Sequence, residues 1–433
     1  MRMTEPSQEP RITNGYSRYV LGLLFVVYVF NFIDRQVLSI LLDEIKADIG
    51  VSDTYMGFLT GFAFAVFYTF AGIPIARLAD RHSRRSIIAF GLFVWSGMTA
   101  ASGMVRNFTE LAIARIGVGV GEAAGSPPTH SLLSDYFPPD RRATAMAIYS
   151  TGVYVGVMAA FIGGGWLSTQ FGWRSVYLTV GLAGIPLALL VRLTIRELPR
   201  GYSDPPGTAA PEPVSVREAL GYLSRCPSFL WLTAAASVQS LSGYGFITWS
   251  PAFLGRVHGV ETVQIGLWLG LIIGVFGTAG GYIGGKLSDH FGRRDPRWII
   301  RWPAIQSITA VPFMLAFLFI EDTTWALVAF IPFYTLGAMY VGPMLSTTQA
   351  LVPNNMRATT SAILLFVLNM VGLGLGPFVV GVMNDLGVDR YGAEAIRYSL
   401  AAIGLVSACA SVLFWITSRH LPADLARARG GDG

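Results

Sequence analysis

Charge is what this 433-residue chain has least of. Only 13% of its residues are Asp, Glu, Lys or Arg, about half the density of an ordinary soluble domain. So few charges cannot coat the water-facing surface of a soluble protein this long, and the composition excludes that class. Cysteine is nearly absent. Cys226 and Cys409 lie far apart in or beside apolar segments, which excludes a disulfide framework and a cysteine metal site. Lysine is scarcer than its share: Lys46 and Lys286 are the only two among 31 basic residues. There is no phosphate-binding Gly-Lys-Ser/Thr loop, which leaves ATP-driven work without support, and no His–Glu–x–x–His metal helix. No stretch outside the apolar runs is long enough for a catalytic domain, so an enzyme is not expected.

What fills the chain is apolar. Hydrophobic residues make up 53% and mean hydropathy is +0.53. A membrane-crossing helix needs about 20 predominantly apolar residues. Twelve runs qualify, at 17–42, 55–79, 86–105, 109–134, 143–169, 174–195, 227–254, 263–288, 298–320, 324–349, 357–384 and 393–418. The first is too long for a cleavable leader and is expected to remain as a span. Most mix Gly, Ala, Ser and Thr into one side, as helices do that pack together and line a cavity. The reading is an all-α membrane protein of twelve transmembrane helices.

The basic residues are sorted by loop. With both termini in the cytoplasm, the inner segments and span ends hold 23 of the 31 Lys and Arg, the outer ones hold six, and Arg35 and Arg115 lie within spans. Cytoplasmic loops carry such an excess, so the expectation is a multi-pass bacterial inner-membrane protein with both ends inside. The same sorting accounts for the net charge of +5 without nucleic acid. Residues 196–226, polar and holding Pro199, Pro205, Pro206, Pro211 and Pro213, read as a linker between two six-span halves, 1–195 and 227–433.

The halves repeat. Gly72-Ile-Pro-Ile-Ala76-Arg-Leu78-Ala-Asp80-Arg81-His-Ser83-Arg84-Arg85 returns 209 positions later as Gly281-Tyr-Ile-Gly-Gly285-Lys-Leu287-Ser-Asp289-His290-Phe-Gly292-Arg293-Arg294. Arg142-Ala-Thr144 returns as Arg357-Ala-Thr359. Duplication at a six-span period marks a transporter built of two bundles. Small residues one turn apart, Gly72 with Ala76 and Gly281 with Gly285, are expected to admit a close neighbour. Asp80 and Asp289 stand at helix C-termini, where a carboxylate faces the negative end of the dipole. They therefore need arginine partners or another helix's N-terminus, contacts suited to a conformational latch with Arg81, Arg84, Arg85 and Arg293.

The motif resembles the signature loop of the major facilitator superfamily, G-x-x-x-G-x-L-x-D-R-x-G-R-R, with Ala76 and Ser83 replacing glycines and His290 replacing an arginine. The resemblance spans all twelve helices and implies two pseudo-symmetric six-helix bundles working by alternating access.

Four charges fall inside spans: Asp34, Arg35, Arg115 and Glu122. An unpaired one costs about 3 kcal/mol at mid-membrane on insertion scales, so they are expected to meet as a cluster facing a wet cavity. Arg115 and Glu122, two turns apart, share a helix face. Asp34 and Arg35 point about 100° apart, one toward span four and one toward the lumen. Burial and a neighbouring arginine push a carboxyl's proton affinity in opposite directions. Asp34 or Glu122 can then take up a proton and release an arginine, so the proton is the expected coupling ion and no other cofactor is implied. The alternative is a static pair joining spans one and four. Arg35 and Arg115 are candidates to hold an anionic head group.

Asn31-Phe-Ile-Asp34-Arg35, Ser52-Asp53 leading into Gly57-Phe-Leu, and Arg115-x-x-x-Gly119-x-Gly121-Glu122-Ala123 resemble the spinster family. That resemblance implies a proton-coupled carrier of lysolipids or sphingosine phosphates, with these four charges in the family's functional positions. A carrier of small organic anions or drugs is the second reading. A membrane-embedded lipid enzyme and a passive channel are the more distant ones. Antiporters of the superfamily carry Gly-Pro in span five, where this chain has Gly156-Val157, and that speaks against antiport. Span seven, Gly243-Tyr244-Gly245-Phe246-Ile-Thr248-Trp249-Ser250-Pro251, reads as a broken or bendable helix. Tyr244 and Trp249 there, and Asn369 in span eleven, are candidate contacts for an amphiphile. His130 reads as a packing or capping residue. The working unit is expected to be a monomer in a lipid bilayer.

Overall fold

The computed structural model describes residues 12–204 and 214–430. Arg2, Arg11, Pro205, Pro206, Pro211 and Pro213 lie outside the described residues, as do the side chains of Asp80 and Arg429.

Every span of the described chain is helical, because in hydrocarbon only a helix or a closed barrel satisfies every backbone polar group internally. Span one is Asn14–Ile40, span two Asp53–Ala79, and span three Arg84–Ser102. Span four comes in two pieces, Phe108–Glu122 and Ser126–Tyr136. Spans five and six are Pro139–Phe171 and Trp173–Thr194. Span seven is Pro227–His258, span eight Thr262–Gly292, span nine Trp298–Phe319 and span ten Thr323–Ala350. Span eleven runs from Arg357 to Tyr391 and span twelve is Ala395–Gly430. Eight helical stretches are long and apolar enough to cross a membrane, one of them, Asn354–Ala428, holding spans eleven and twelve together. Spans three, four and seven complete the twelve. The linker carries a short amphipathic helix, Val216–Leu223, with Ala219 and Leu223 packed onto the second bundle.

Span seven is not broken. Helix continues through Gly243, Gly245 and Pro251, and tightly packed neighbours such as Ile403 and Val380 flank Gly245. The irregular places lie elsewhere. Span four breaks between Glu122 and Ser126, ahead of Pro127 and Pro128. Span two is interrupted at Gly61, whose φ and ψ are −104° and −90°. Spans eight and eleven each contain a π-helical segment, Ile272–Phe276 and Asn369–Leu375. Such segments often accompany functional sites.

The bundles touch at the arginine-poor end and part at the other. A Cβ on Gly266 of span eight would stand 2.2 Å from the Phe161 carbonyl oxygen of span five, and one on Gly61 2.3 Å from that of Gly374. Gly57 and Gly381 make equally close crossings with Pro377 and Asp53. Toward the arginine-rich end, Gly72 and Gly285 face open space, and Ile73, Leu78 and Tyr282 are exposed. Gly72 and Gly285 thus make no close approach in this state, and a Cβ on Gly281 would meet only the Tyr154 hydroxyl, at 3.5 Å. Their neighbours Gly280 and Gly284, one residue round the helix, make that contact instead, against Thr335 and Met339 of span ten.

Candidate functional site

The four membrane charges come from spans one and four; three are buried and Arg35 is partly so. Asp34 and Arg115 are 1% exposed and Glu122 is 0% exposed. Arg35 Nε donates to Glu122 Oε2 at 2.7 Å. Its guanidinium lies against three rings, 4.5 Å from the centre of Tyr68, 4.8 Å from Phe64 and 5.1 Å from Phe32. Arg115 does not pair with a carboxylate. Its Nη1 donates to the backbone carbonyl of Asp34 at 3.0 Å, and its far side rests on Phe64. Asp34 turns into the first bundle, where Trp95 and Thr99 of span three face it, and its Oδ1 makes no hydrogen bond among the described residues. The expectation of a fully paired quartet facing the lumen is thus corrected. One pair forms, Arg35–Glu122, with its guanidinium against Phe32 of the cavity lining, while Asp34 turns to span three, because adjacent residues on span one diverge around the helix.

The cavity lies between the halves and measures about 230 Å³. Span one contributes Phe32 and Gln36, span five Tyr154, span seven Gln239 and Tyr244, and span ten Phe333 and Tyr334. Span four, expected at this wall, contributes no lining residue. Seven of the eighteen lining residues are aromatic, with the amides of Gln36 and Gln239 and the hydroxyls of Ser240 and Ser242 among the rest. Tyr244 lines this cavity. Trp249 does not: it is 0% exposed and its Nε1 donates to the Pro377 carbonyl at 2.9 Å, joining spans seven and eleven. Asn369 opens the π segment of span eleven and does not line the cavity. His130 packs edge-on against Tyr149.

The latch residues divide unequally. Arg84 is buried and fully engaged inside the first bundle. It pairs with Asp135 and with Glu197 at 2.8 Å, and it donates to the carbonyls of Ser131 and Leu198. Glu197 also accepts from the Arg85 backbone N–H at 2.9 Å and from Ser83. Burial pushes the Glu197 carboxyl up, but these donors outweigh it and hold it below the usual carboxylate range. Arg84 and Arg85 thus fasten the start of the linker to span three rather than reaching for the other half. Arg81, Asp289 and Arg293 are exposed and form no ion pair among the described residues.

Sequence reasoning missed a cross-half cluster at the arginine-poor end: Asp43, Lys46, Asp53, Arg256, Asn384 and Asp385. Its members sit at helix ends and up to some 330 positions apart, and end-of-helix charges read in sequence as solvated.

This arrangement has known counterparts. The sequence profile of the Major Facilitator Superfamily matches residues 24–377. The chain belongs to the major facilitator superfamily. An MFS-type efflux pump of Mycolicibacterium smegmatis is 34% identical over 94% of this chain and 93% of its own. Protein spinster homolog 1 of Homo sapiens is 26% identical over 98% of this chain and 86% of its own. A crystal structure of a bacterial homolog to the human lysosomal transporter spinster, inward-facing and unoccupied, superposes with a TM-score of 0.87 at 32% identity, covering 95% of this chain and 99% of that one. The superfamily makes this chain a multi-pass membrane transporter and not an enzyme, with twelve helices in two six-helix bundles.

Proposed function

We propose that the chain is a proton-coupled secondary carrier of the bacterial inner membrane that moves an anionic amphiphile, such as a lysolipid, by alternating access. The arginine-rich end is the cytoplasmic one, with both termini there, so the state described is open inward. The observation that carries the reading is the buried Arg35–Glu122 pair directly behind an uncharged cavity, its guanidinium against the lining ring of Phe32.

With Glu122 ionised, Arg35 is neutralised and held against Tyr68 and Phe64. A proton on Glu122 removes the counter-charge and leaves Arg35 as a free cation beside the cavity. An anionic head group then satisfies Arg35, while the rings of Phe32, Tyr154, Tyr334 and Phe333 accept the apolar part. Proton and anion stabilise each other's binding, which is how a gradient of one drives the other. Asp34, unpaired behind the site, is the second proton-accepting group, and Arg115 holds the span-one backbone that carries both Asp34 and Arg35. The efflux-pump relative supports the second reading, an exported drug or small organic anion.

The test is uptake of a labelled lysolipid panel, with small organic anions alongside, into proteoliposomes with and without a pH gradient. Glu122→Gln and Asp34→Asn should abolish gradient-driven movement in folded protein. Retention of the full pH response in both variants rejects the coupling. Transport of the anions but not the lysolipids selects the second reading.

A further inference from the structure

Five ionised side chains from both halves meet at the arginine-poor end, away from the cavity. Arg256, in the last turn of span seven, crosses to the first half. Its Nη2 stands 2.5 Å from Asp43 Oδ1 and its Nη1 2.5 Å from Asp53 Oδ2. Asp53 also accepts from Lys46 Nζ at 2.6 Å and, from span eleven, Asn384 Nδ2 at 2.9 Å. Its neighbour Asp385 accepts from the backbone N–H groups of Asp53 at 3.1 Å and Thr54 at 2.8 Å.

Those two amides belong to the first turn of span two, where helix N–H groups have no partner of their own. Ser52, at the N-cap position, makes no side-chain cap bond. A carboxylate from the second half therefore caps a helix of the first and meets the positive end of its dipole. The Asp53 side chain is 3% exposed and that of Arg256 19%, whereas Lys46 at 33% and Asp43 at 42% reach water.

We infer that this cluster is a lock that keeps the arginine-poor end shut, with Arg256 as its pin; the inference rests on the alternating-access reading above. Parting the halves at this end must separate Arg256 from both aspartates and pull Asn384 and Asp385 off the start of span two. The exposed members rehydrate as that happens, which keeps the lock releasable. Without Arg256, three carboxylates face one lysine and Asp53 stays dry with a single cationic partner. The shut state then loses stability and the open one does not.

Pulsed electron–electron resonance on spin-labelled protein reads this directly. The background carries Cys226→Ser and Cys409→Ser. One label pair, Thr109→Cys with Asp389→Cys, spans the arginine-poor end, and a second, Asp140→Cys with His290→Cys, spans the other. Arg256→Gln should raise the fraction with long distances at the first pair by about tenfold and shorten distances at the second. Asp385→Ala should shift both in the same sense, and Arg256→Lys should return them toward wild type. Arg174→Gln breaks a pair at the same end but within one half, Arg174–Asp48, and should leave both distributions alone. Unshifted distances in Arg256→Gln and Asp385→Ala overturn the lock, if pH or lysolipid moves the label pairs in wild type. Equal shifts in Arg174→Gln overturn it too. If nothing moves either pair in any protein, alternating access fails first and takes the lock with it.

Discussion

Replacing Arg35 by methionine should destabilise the protein more than replacing Arg35 and Glu122 together. The pair is dry: Glu122 is 0% and Arg35 9% exposed, with Nε and Oε2 2.7 Å apart. Methionine fills the space against Phe32, Phe64 and Tyr68 but strands the carboxylate, whose other oxygen, Oε1, already has no donor. Removing one partner of a buried pair costs about 3–5 kcal/mol. Glu122→Gln is milder, because the amide oxygen can still accept from Nε and the three rings still hold the guanidinium, each contact contributing about 0.5–2 kcal/mol. Its cost should be about 1–2 kcal/mol. In the double variant no charge is left to strand, so it should be about 2–3 kcal/mol more stable than the sum of the single losses. Denaturant titration of the purified protein in detergent, followed by tryptophan fluorescence, closes the cycle. Additive losses within about 0.5 kcal/mol would refute a coupled dry pair and the release of Arg35 built on it.

Further outcomes follow from other contacts. Glu197→Gln should lower thermal stability at pH 7. The Glu197 carboxyl sits below its ordinary range, so the wild-type advantage is present above the unfolded pKa of about 4.3 and vanishes as pH falls through the lower folded value. An advantage that instead grows on acidification contradicts the clamp. Trp249→Phe should cost about 1 kcal/mol for the lost bond to Pro377 with substrate affinity unchanged, whereas Tyr244→Ala should weaken substrate binding with little loss of stability; paired thermal-shift and binding assays separate them. Gly266→Ala puts a methyl group 2.2 Å from the Phe161 carbonyl oxygen and should impair closure and uptake severalfold. Gly72→Ala, facing open space, should leave stability in the state described unchanged.

Hydropathy was enough to read the helices, because each span must be apolar over a fixed length whatever its partners. The duplication was legible from a motif repeating at constant offset. Side-chain direction was harder. Asp34 and Arg35 were recognised as a divergent pair, but nothing local told that Arg35 would pair with Glu122 or that Arg115 would bind a backbone carbonyl. Glycine and proline in span seven suggested a break, yet neighbouring helices satisfy the backbone there. The actual irregularities, at Gly61 and in spans four, eight, ten and eleven, depend on packing across the bundle. Asp53 and Asp385 were invisible as partners, since their meeting is a property of the shut end alone.

The two π segments carry a last consequence. They occupy spans eight and eleven, the second-half helices that abut spans five and two, while span five runs as unbroken α-helix from Pro139 to Phe171. A wide turn has slack that an α turn lacks, so sliding between the halves can be absorbed by re-registering five or seven residues instead of bending a whole rod. Among the described residues the wide turns are thus confined to the second half, while the first half has its breaks at Gly61 and in span four. Hydrogen exchange should find its fastest mid-membrane amides at Ile272–Phe276 and Asn369–Leu375, and the opposing first-half surface of span five should behave as the stiff rail along which they travel.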